Sequence, residues 1–368
     1  MVGRLTVVQL LPTLDSGGVE RSTIEIAEAL VGAGHRALVV SAGGRLLPRL
    51  LATGAEHVEL DIGRKSPWVL RHVPALRRLF AGADIVHARS RLPAWLAWRA
   101  LRTMPARPAF ATTVHGLNSP SAYSTVMTRG DRVICVSDTV RGYLLAHYPA
   151  LDPARLRVIP RGIDPAAFPR TAGVDRAARV ALAQAHPQLG GDGPLLLLPG
   201  RGTRLKGHAD ALRLLARLRA QGLDARLWMP GVVQAARGRY LEELRAEAAR
   251  LGVMEATAFT DATEAIAGAY AASDLVLQLS RKPEAFGRTV VEALAVGRPV
   301  LGWAHGGVGE LLARLQPAGA MAPFDEDALA ARAADLLAHP PHPPAAMPYT
   351  LQAMQQATLD LYRTMVAP

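Results

Sequence analysis

Short apolar runs recur along the first half of the chain: LTVVQLL (5–11), RALVVSA (36–42), DIVHA (84–88), FATTVH (110–115), DRVICVS (131–137) and LRVIP (156–160). Each is too short for a helix and rich in β-branched residues or leucine, so each reads as a buried strand. The stretches between them, such as VERSTIEIAEALVGAG and SDTVRGYLLAHY, carry apolar residues three and four apart and read as helices. Strand–helix alternation of this kind predicts a doubly wound parallel sheet.

The alternation restarts after residue 190, with LLLLPG, ARLWMPG, ATAFT, DLVLQLS and RPVLGW as a second set of strands. Between the sets lies RGIDPAAFPRTAG, rich in Pro and Gly, which reads as a linker. HPPHPPAAMP breaks the last helical pattern near 340–348, and YTLQAMQQATLDLYRTMV follows as one amphipathic closing helix. The expected division is therefore an α/β domain over 1–170, a second over 171–345, and a terminal helix over 346–368. Two open α/β domains in tandem place ligands at the carboxyl ends of their strands, in a cleft between the sheets, so function is expected in the loops after strands.

Length supports this division, because 368 residues exceed one ordinary core and half of them are apolar. No apolar run approaches the roughly 18–20 residues that span a membrane. The segment MVGRLTVVQLLPTL reads as a first strand and lacks the long apolar region and cleavage site of a signal peptide. The single Cys135 cannot form an internal disulfide, which fits a reducing cytoplasm. The net charge of +11 is carried by arginine, with Lys65, Lys206 and Lys282 the only lysines. Such an excess favours an anionic partner: nucleotide, nucleic acid or a phosphate-bearing lipid surface. No dense basic run interleaved with aromatics is present, so nucleic acid is not the expected partner.

Three loops could carry chemistry. PTLDSGGVERS follows the first strand, and Gly17 and Gly18 precede a helix, where backbone N–H groups can approach an anion or simply make a tight turn. This is not a dinucleotide fingerprint, and the strand near 36–41 ends without the acid that holds a ribose. GRGTRLKGH (200–208) follows a leucine strand and sets Arg201 and Lys206 across a glycine-containing turn before a helix. That is a phosphate-binding layout without Walker A spacing, or else two solvated cations. PEAFGRTVVEAL (283–294) places Glu284 in a loop, Phe286–Gly287 in a turn, and Glu292 about one turn into a helix that starts near Thr289. A phosphate would sit on the N–H groups near Phe286–Arg288. A carboxylate beside a phosphate cannot bind it but accepts hydrogen bonds from neutral hydroxyls. Taken singly, Glu284 could be a solvated loop acid and Glu292 a helix-surface or capping residue. Paired acids, a helix N-terminus and Arg201 with Lys206 together describe a sugar–diphosphate–nucleoside ligand.

At this point the chain resembles family 4 glycosyltransferases, retaining enzymes of the two-domain GT-B fold. The resemblance runs through SGGVERS, DIVHARSRLPAW, TTVHG, VICVSDTV, VIPRGID, LPGRGTRLKGH, EAFGRTVVEA and VGRPVLGWAHGGVGEL. SGGVER and HARSRLPAW look most like the branch that builds lipopolysaccharide cores and related surface glycans. The resemblance implies two Rossmann-like domains facing across a cleft, an acceptor-binding one first and a donor-binding one second. The terminal helix would pack back on the first. It implies transfer with retention from a nucleoside-diphosphate sugar, UDP- or GDP-linked, to a hydroxyl of a glycan or glycolipid, without a cofactor or metal. By position, Glu292 would hold the ribose and Glu284 the donor sugar, with the amides of Ala285, Phe286, Gly287, Arg288 and Thr289 nearby. Arg201 and Lys206 would neutralise the diphosphate, and Gly17 and Gly18 would close against it. His115 would reach the donor sugar near the reacting carbon, so the expected catalytic set is His115, Glu284, Arg201 and Lys206. His87 and Arg89 are expected on the acceptor side.

The chain departs from the family pattern in three places. Ala285 replaces a frequent glycine, Leu279 replaces the usual proline before Ser280, and Arg288 stands where an apolar residue is common. Loop shape, and with it donor choice, is where these departures act. His87 and His115 each also fit a purely structural strand-end role. Asp325-Glu326-Asp327 mimics a metal-binding triplet but precedes a helix, where acids act as caps. No His/Cys/Asp cluster has metal-ligand spacing. Trp95 and Trp98 fit core or an acceptor or membrane rim. A basic chain of this kind is expected in the cytoplasm, peripheral to the inner face of an anionic membrane, through Arg45, Arg49, Arg64, Arg71, Arg89 and Arg91. The rival readings are a non-hydrolysing nucleotide-sugar epimerase, a catalytically silent module that binds nucleotide or anionic lipid, and an NAD-dependent enzyme.

Overall fold

A computed structural model describes residues 3–15, 17–234 and 238–367. The chain divides into two compact units, Met1–Arg161 with Leu351–Pro368, and Gly162–Thr350. The first holds β1 (Thr6–Leu10), β2 (Arg36–Ser41), β3 (Glu56–Glu59), β4 (Ile85–Ala88), β5 (Ala109–Val114), β6 (Arg132–Cys135) and β7 (Leu156–Val158). They form one parallel sheet in the order β3-β2-β1-β4-β5-β6-β7. The second holds β8 (Leu195–Leu197), β9 (Arg226–Pro230), β10 (Thr257–Thr260), β11 (Leu275–Gln278), β12 (Val300–Trp303) and β13 (Ala320–Met321). Its order is β10-β9-β8-β11-β12-β13, again all parallel. Both units are thus Rossmann-like doubly wound sheets, as the alternation predicts.

Central strands of a sheet covered on both faces must be apolar on both faces. This is why β8 is an unbroken leucine run and every residue of it is buried. Each unit also repeats one device at the start of its central strands. The carboxylate of Asp84, just before β4, accepts from the Thr6 N–H at 2.7 Å, and that of Asp274, just before β11, accepts from the Leu195 N–H at 2.7 Å.

Two edge strands escape the sequence pattern. β3 reads EHVE with no buried residue, and β13 is two residues long and half-buried. An edge strand packs on one side and needs no apolar run.

The unit boundary falls after Arg161, earlier than the expected 170/171. The linker packs on the second unit instead of spanning freely. The Thr171 N–H bonds the Val296 carbonyl at 3.0 Å, Arg298 donates to Thr171 O and Oγ1 at 3.1 Å, and Ile163 bridges Thr350. The closing helix, Leu351–Val366, belongs to the first unit. Its Met354, Leu359, Leu361 and Tyr362 join the core of that unit beside Ile24, Ile26 and Leu30 of the helix Gly18–Gly32.

Candidate functional site

A doubly wound sheet opens a crevice where the strand order reverses, because the helices after the two central strands leave toward opposite faces. In the second unit that point lies between β8 and β11, which are neighbours. The loop after β8 carries Arg201 and Lys206, and the loop after β11 carries Glu284. The topology brings the two quoted motifs together.

Several bonds join these loops. The Arg281 N–H donates to the Leu205 carbonyl at 2.8 Å, and the Arg281 guanidinium donates to the buried Asp210 carboxylate at 2.6 Å. Gly207 adopts φ 76°, and a Cβ there would lie 2.0 Å from the Leu279 carbonyl oxygen, so only glycine lets the turn lie against β11's exit. Lys206 Nζ then reaches Glu284 Oε1 at 2.5 Å. Ser280 Oγ also donates to that oxygen, and Gln278 Nε2 stands 3.5 Å from Oε2. His305 Nε2 contacts the Ser280 carbonyl at 2.7 Å.

A third loop fixes the backbone of Glu284. The Gly307 N–H donates to the Glu284 carbonyl at 2.7 Å, and Glu284 bridges Gly306 in parallel. Gly306 has φ 60°, and a Cβ there would sit 2.6 Å from the same carbonyl. The start of the helix Gly306–Leu315, after β12, therefore seats the glutamate loop. Ala285 is half-buried and Phe286 buried, its ring edge-on to Tyr349 at 5.7 Å. Gly287 precedes the helix Arg288–Val296, whose first residues are Arg288 and Thr289. Unpaired N–H groups of a helix's first turn attract an anion.

Glu292 lies in the second turn of that helix, 7% exposed. Tyr270 Oη donates to its Oε2 at 2.8 Å. One carboxylate oxygen thus has an internal donor, which makes the surface-acid reading untenable. Arg201 is exposed, and its side chain has no ion pair or hydrogen bond among the described residues. The structure does not pair it with Lys206; Lys206 turns to Glu284.

His208, at the start of the helix His208–Ala220, is fully buried. Burial, with the Lys206 charge nearby, pushes its pKa down to about 4, so it is a neutral wedge beneath the lysine turn. The acids Asp325, Glu326 and Asp327 cap and pair. Asp325 accepts from the Ala328 N–H at 3.0 Å, Glu326 accepts from Arg213 at 2.7 Å, and Asp327 pairs with Arg217.

In the first unit, His115 follows β5 and is half-buried. Gly17 and Gly18 open the helix Gly18–Gly32, after the switch-point strand β1; Ser16 lies outside the described residues. His87 and Arg89 correct the expectation. His87 is fully buried, with Nδ1 2.6 Å from Tyr362 Oη and Nε2 2.6 Å from Thr113 Oγ1. Burial foremost, then the charges of Arg89 and Arg161, hold its pKa well below the usual imidazole range. Arg89, 2% exposed, donates through Nε to Gln9 Oε1 at 2.8 Å and through Nη1 to Ser22 Oγ at 3.4 Å. Both are inner parts of the fold, not acceptor-facing groups, and Arg89 is no part of a basic surface. Arg91 is half-buried against Ser124 and over the Tyr123 ring.

Sequence reasoning missed Gln278, Ser280 and Tyr270, the partners of the two acids, and His305, which holds the Ser280 carbonyl. Only Gln278 and Ser280 had a readable signal, as polar residues at and just after the end of a strand that is otherwise apolar.

Two doubly wound parallel-sheet units in one chain make the GT-B architecture. Comparison with known proteins agrees. Residues 16–167 match the model for Glycosyltransferase Family 4, and residues 183–350 match Glycosyl transferases group 1. The chain thus carries a Family 4 glycosyltransferase domain followed by a group 1 glycosyltransferase domain. It is 33% identical over 192 residues to a D-inositol 3-phosphate glycosyltransferase of Salinispora arenicola, a match covering 50% of this chain and 42% of that protein. The chain thus spans less than half the length of that curated relative in the matched region. A crystal structure of a glycosyltransferase from Rickettsia africae superposes with a TM-score of 0.84 at 25% identity, covering 99% of both chains. An Anabaena protein crystallised with UDP and glucose superposes at 0.79 with 18% identity, covering 98% of this chain and all of that one.

Proposed function

We propose that this chain transfers a sugar from a nucleoside-diphosphate sugar, UDP- or GDP-linked, to a hydroxyl of a glycan or glycolipid, with retention at the anomeric carbon. The observation that carries the reading is the Glu284–Lys206 pair at the β8/β11 switch point, beside the N-terminus of the helix Arg288–Val296. The diphosphate lies on that N-terminus with Lys206 and Arg201 as cations, and fixed dipoles stabilise the charge that grows on it as the glycosidic bond breaks. Glu284 accepts from hydroxyls of the transferred sugar. Glu292, anchored by Tyr270, accepts from the ribose. His115 contributes a contact to a sugar hydroxyl. No metal is required, because two cationic side chains and a helix end supply the positive charge.

The Anabaena neighbour, which holds UDP and glucose, supports a UDP-linked hexose as donor. The Salinispora relative, named for D-inositol 3-phosphate, supports a phosphorylated polyol as one acceptor to test beside lipopolysaccharide-core and other surface glycans, which the SGGVER and HARSRLPAW motifs favour. Membrane attachment is supported by the segment after β3. There Trp68 is 77% and Leu70 47% exposed, flanked by exposed Arg64, Lys65 and Arg71. An exposed indole among cations suits an anionic lipid surface on the cytoplasmic side.

The test is transfer from a panel of UDP- and GDP-hexoses to acceptor mixtures, in EDTA and with Mg²⁺ or Mn²⁺. Acceptor-dependent release of nucleoside diphosphate that survives EDTA is expected. Interconversion of donor sugars without an acceptor would make the chain an epimerase, and abolition by EDTA with metal rescue would overturn the metal-free reading.

A further inference from the structure

We propose that Arg161 is the positioning residue of His115: it fixes the imidazole as the Nε2–H tautomer and thereby makes it a hydrogen-bond donor at Nε2. The mechanistic part of this inference rests on the transferase reading; the tautomer does not.

Arg161 is 8% exposed and is the last residue of the first segment of its unit. Its Nη2 lies 2.5 Å from His115 Nδ1. A guanidinium has only donors and does not deprotonate in proteins. Nδ1 must therefore accept, which requires it to carry no hydrogen. A neutral imidazole with a bare Nδ1 holds its hydrogen on Nε2. The same Nη2 is 3.4 Å from Nε2, where two N–H groups would face each other, so that longer approach is not a bond.

The arginine is itself held from two other elements. Nη1 donates to Ser22 Oγ at 2.5 Å, in the helix that Gly17 and Gly18 open, and lies 3.7 Å from Met354 Sδ in the closing helix. Ser22 Oγ is shared with Arg89, so one hydroxyl orients two buried guanidiniums. The imidazole's geometry is set by three segments far apart in sequence.

The chemical consequence is specific. A His115 held this way cannot accept a proton at Nε2, so it is not the base that activates an acceptor hydroxyl there. It donates, to a sugar hydroxyl or to an oxygen gaining negative charge. An ammonium at position 161 could also donate to Nδ1, whereas a methyl could not.

The experiment is long-range ¹H–¹⁵N correlation of the histidine rings in the unliganded protein at neutral pH, with the His115 signals assigned through His115→Gln. It is repeated on Arg161→Lys and Arg161→Ala, together with transfer kinetics. Wild type and Arg161→Lys should show the hydrogen on Nε2, and Arg161→Ala a tautomer mixture. In Arg161→Ala kcat should fall tenfold or more with donor KM within threefold, and Arg161→Lys should recover part of kcat. A wild-type Nδ1–H tautomer or imidazolium would overturn the assignment. So would an Arg161→Ala protein with unchanged tautomer or unchanged kcat. If Arg161→Ala does not fold, the wild-type and Arg161→Lys spectra still decide. The expected tautomers in a chain that transfers no sugar would sink the transferase reading and leave Arg161's hold on His115 standing.

Discussion

Lys206 and Glu284, 78 positions apart, form an ion pair of 2.5 Å at the mouth of the second unit's central strands. The acid lies where a sugar is expected and the cation where a diphosphate is expected, and the two pair with each other. On the proposed reading, donor binding exchanges this pair for two separate contacts. Lys206→Ala should lower kcat/KM by roughly 2–4 kcal/mol in activation free energy, with KM for donor rising and kcat falling. Stability should barely change, because both side chains are partly open to solvent and such pairs contribute about 1 kcal/mol or less. Arg201→Ala should act in the same direction on kinetics alone. Steady-state assays beside thermal melts check both, and wild-type kinetics in the two variants would remove the clamp from the site.

The two acids should fail differently. Glu292→Gln keeps an oxygen for Tyr270 but loses charge, so affinity for donor and for free nucleoside diphosphate should drop together, by about 1.5–3 kcal/mol. Glu284→Gln should leave product affinity within a factor of about three and reduce turnover, since contacts to the sugar count most as it flattens toward the oxocarbenium. Calorimetry with UDP and GDP, plus transfer kinetics on both variants, checks this. The reverse pattern would mean the donor lies the other way round.

His208 gives a pH dependence with a definite sign. Its folded pKa, about 4, lies below the usual 6.5, chiefly through burial. Between these values the unfolded chain binds a proton that the folded chain refuses. Stability from this group is therefore complete above about pH 6.5 and is lost as pH falls toward 4, on the order of 3 kcal/mol in all. Urea unfolding followed by tryptophan fluorescence should show this slope in wild type and a shallower one in His208→Gln. Equal slopes would mean that His208 does not stay neutral.

Sedimentation with vesicles should report the surface segment. Binding to anionic vesicles is expected to weaken steeply with salt, and Trp68 emission should shift to the blue on binding. Reversing Arg64, Lys65 and Arg71 to Glu should abolish binding, at roughly 1 kcal/mol for each charge near the surface. Binding indifferent to salt and lipid charge would show that the arginine excess is compositional.

Much of the architecture was legible because buried parallel strands must be apolar runs, and both sheets wrote themselves as such. β3 and β13 were not, since edge strands lack that constraint. Of the site, Glu284, Lys206 and Glu292 were legible as charges beside turns and a helix start. Their mutual geometry was not: that Lys206 meets Glu284 while Arg201 stands apart depends on β8 lying beside β11. His87 and Arg89 misled because a polar residue at a strand end looks identical whether it faces solvent or a buried network. Tyr362, some 275 positions from His87, gave no local sign of the partnership.

The return of the closing helix to the first unit sets an order on biosynthesis. The first unit's opening segment leaves the ribosome early, yet Tyr362, which is fully buried against His87, is made only after the roughly 190 residues of Gly162–Thr350. At about 5–20 residues per second that is a delay of roughly 10–40 s. Throughout it, the surface that Leu351–Val366 will cover is exposed on a nascent chain, and a ribosome that stalls anywhere in the second unit strands the first one unfinished. The unit that holds β1–β7 is therefore completed only after the second unit has been made, and its sheet depends on the helix Leu351–Val366 for closure.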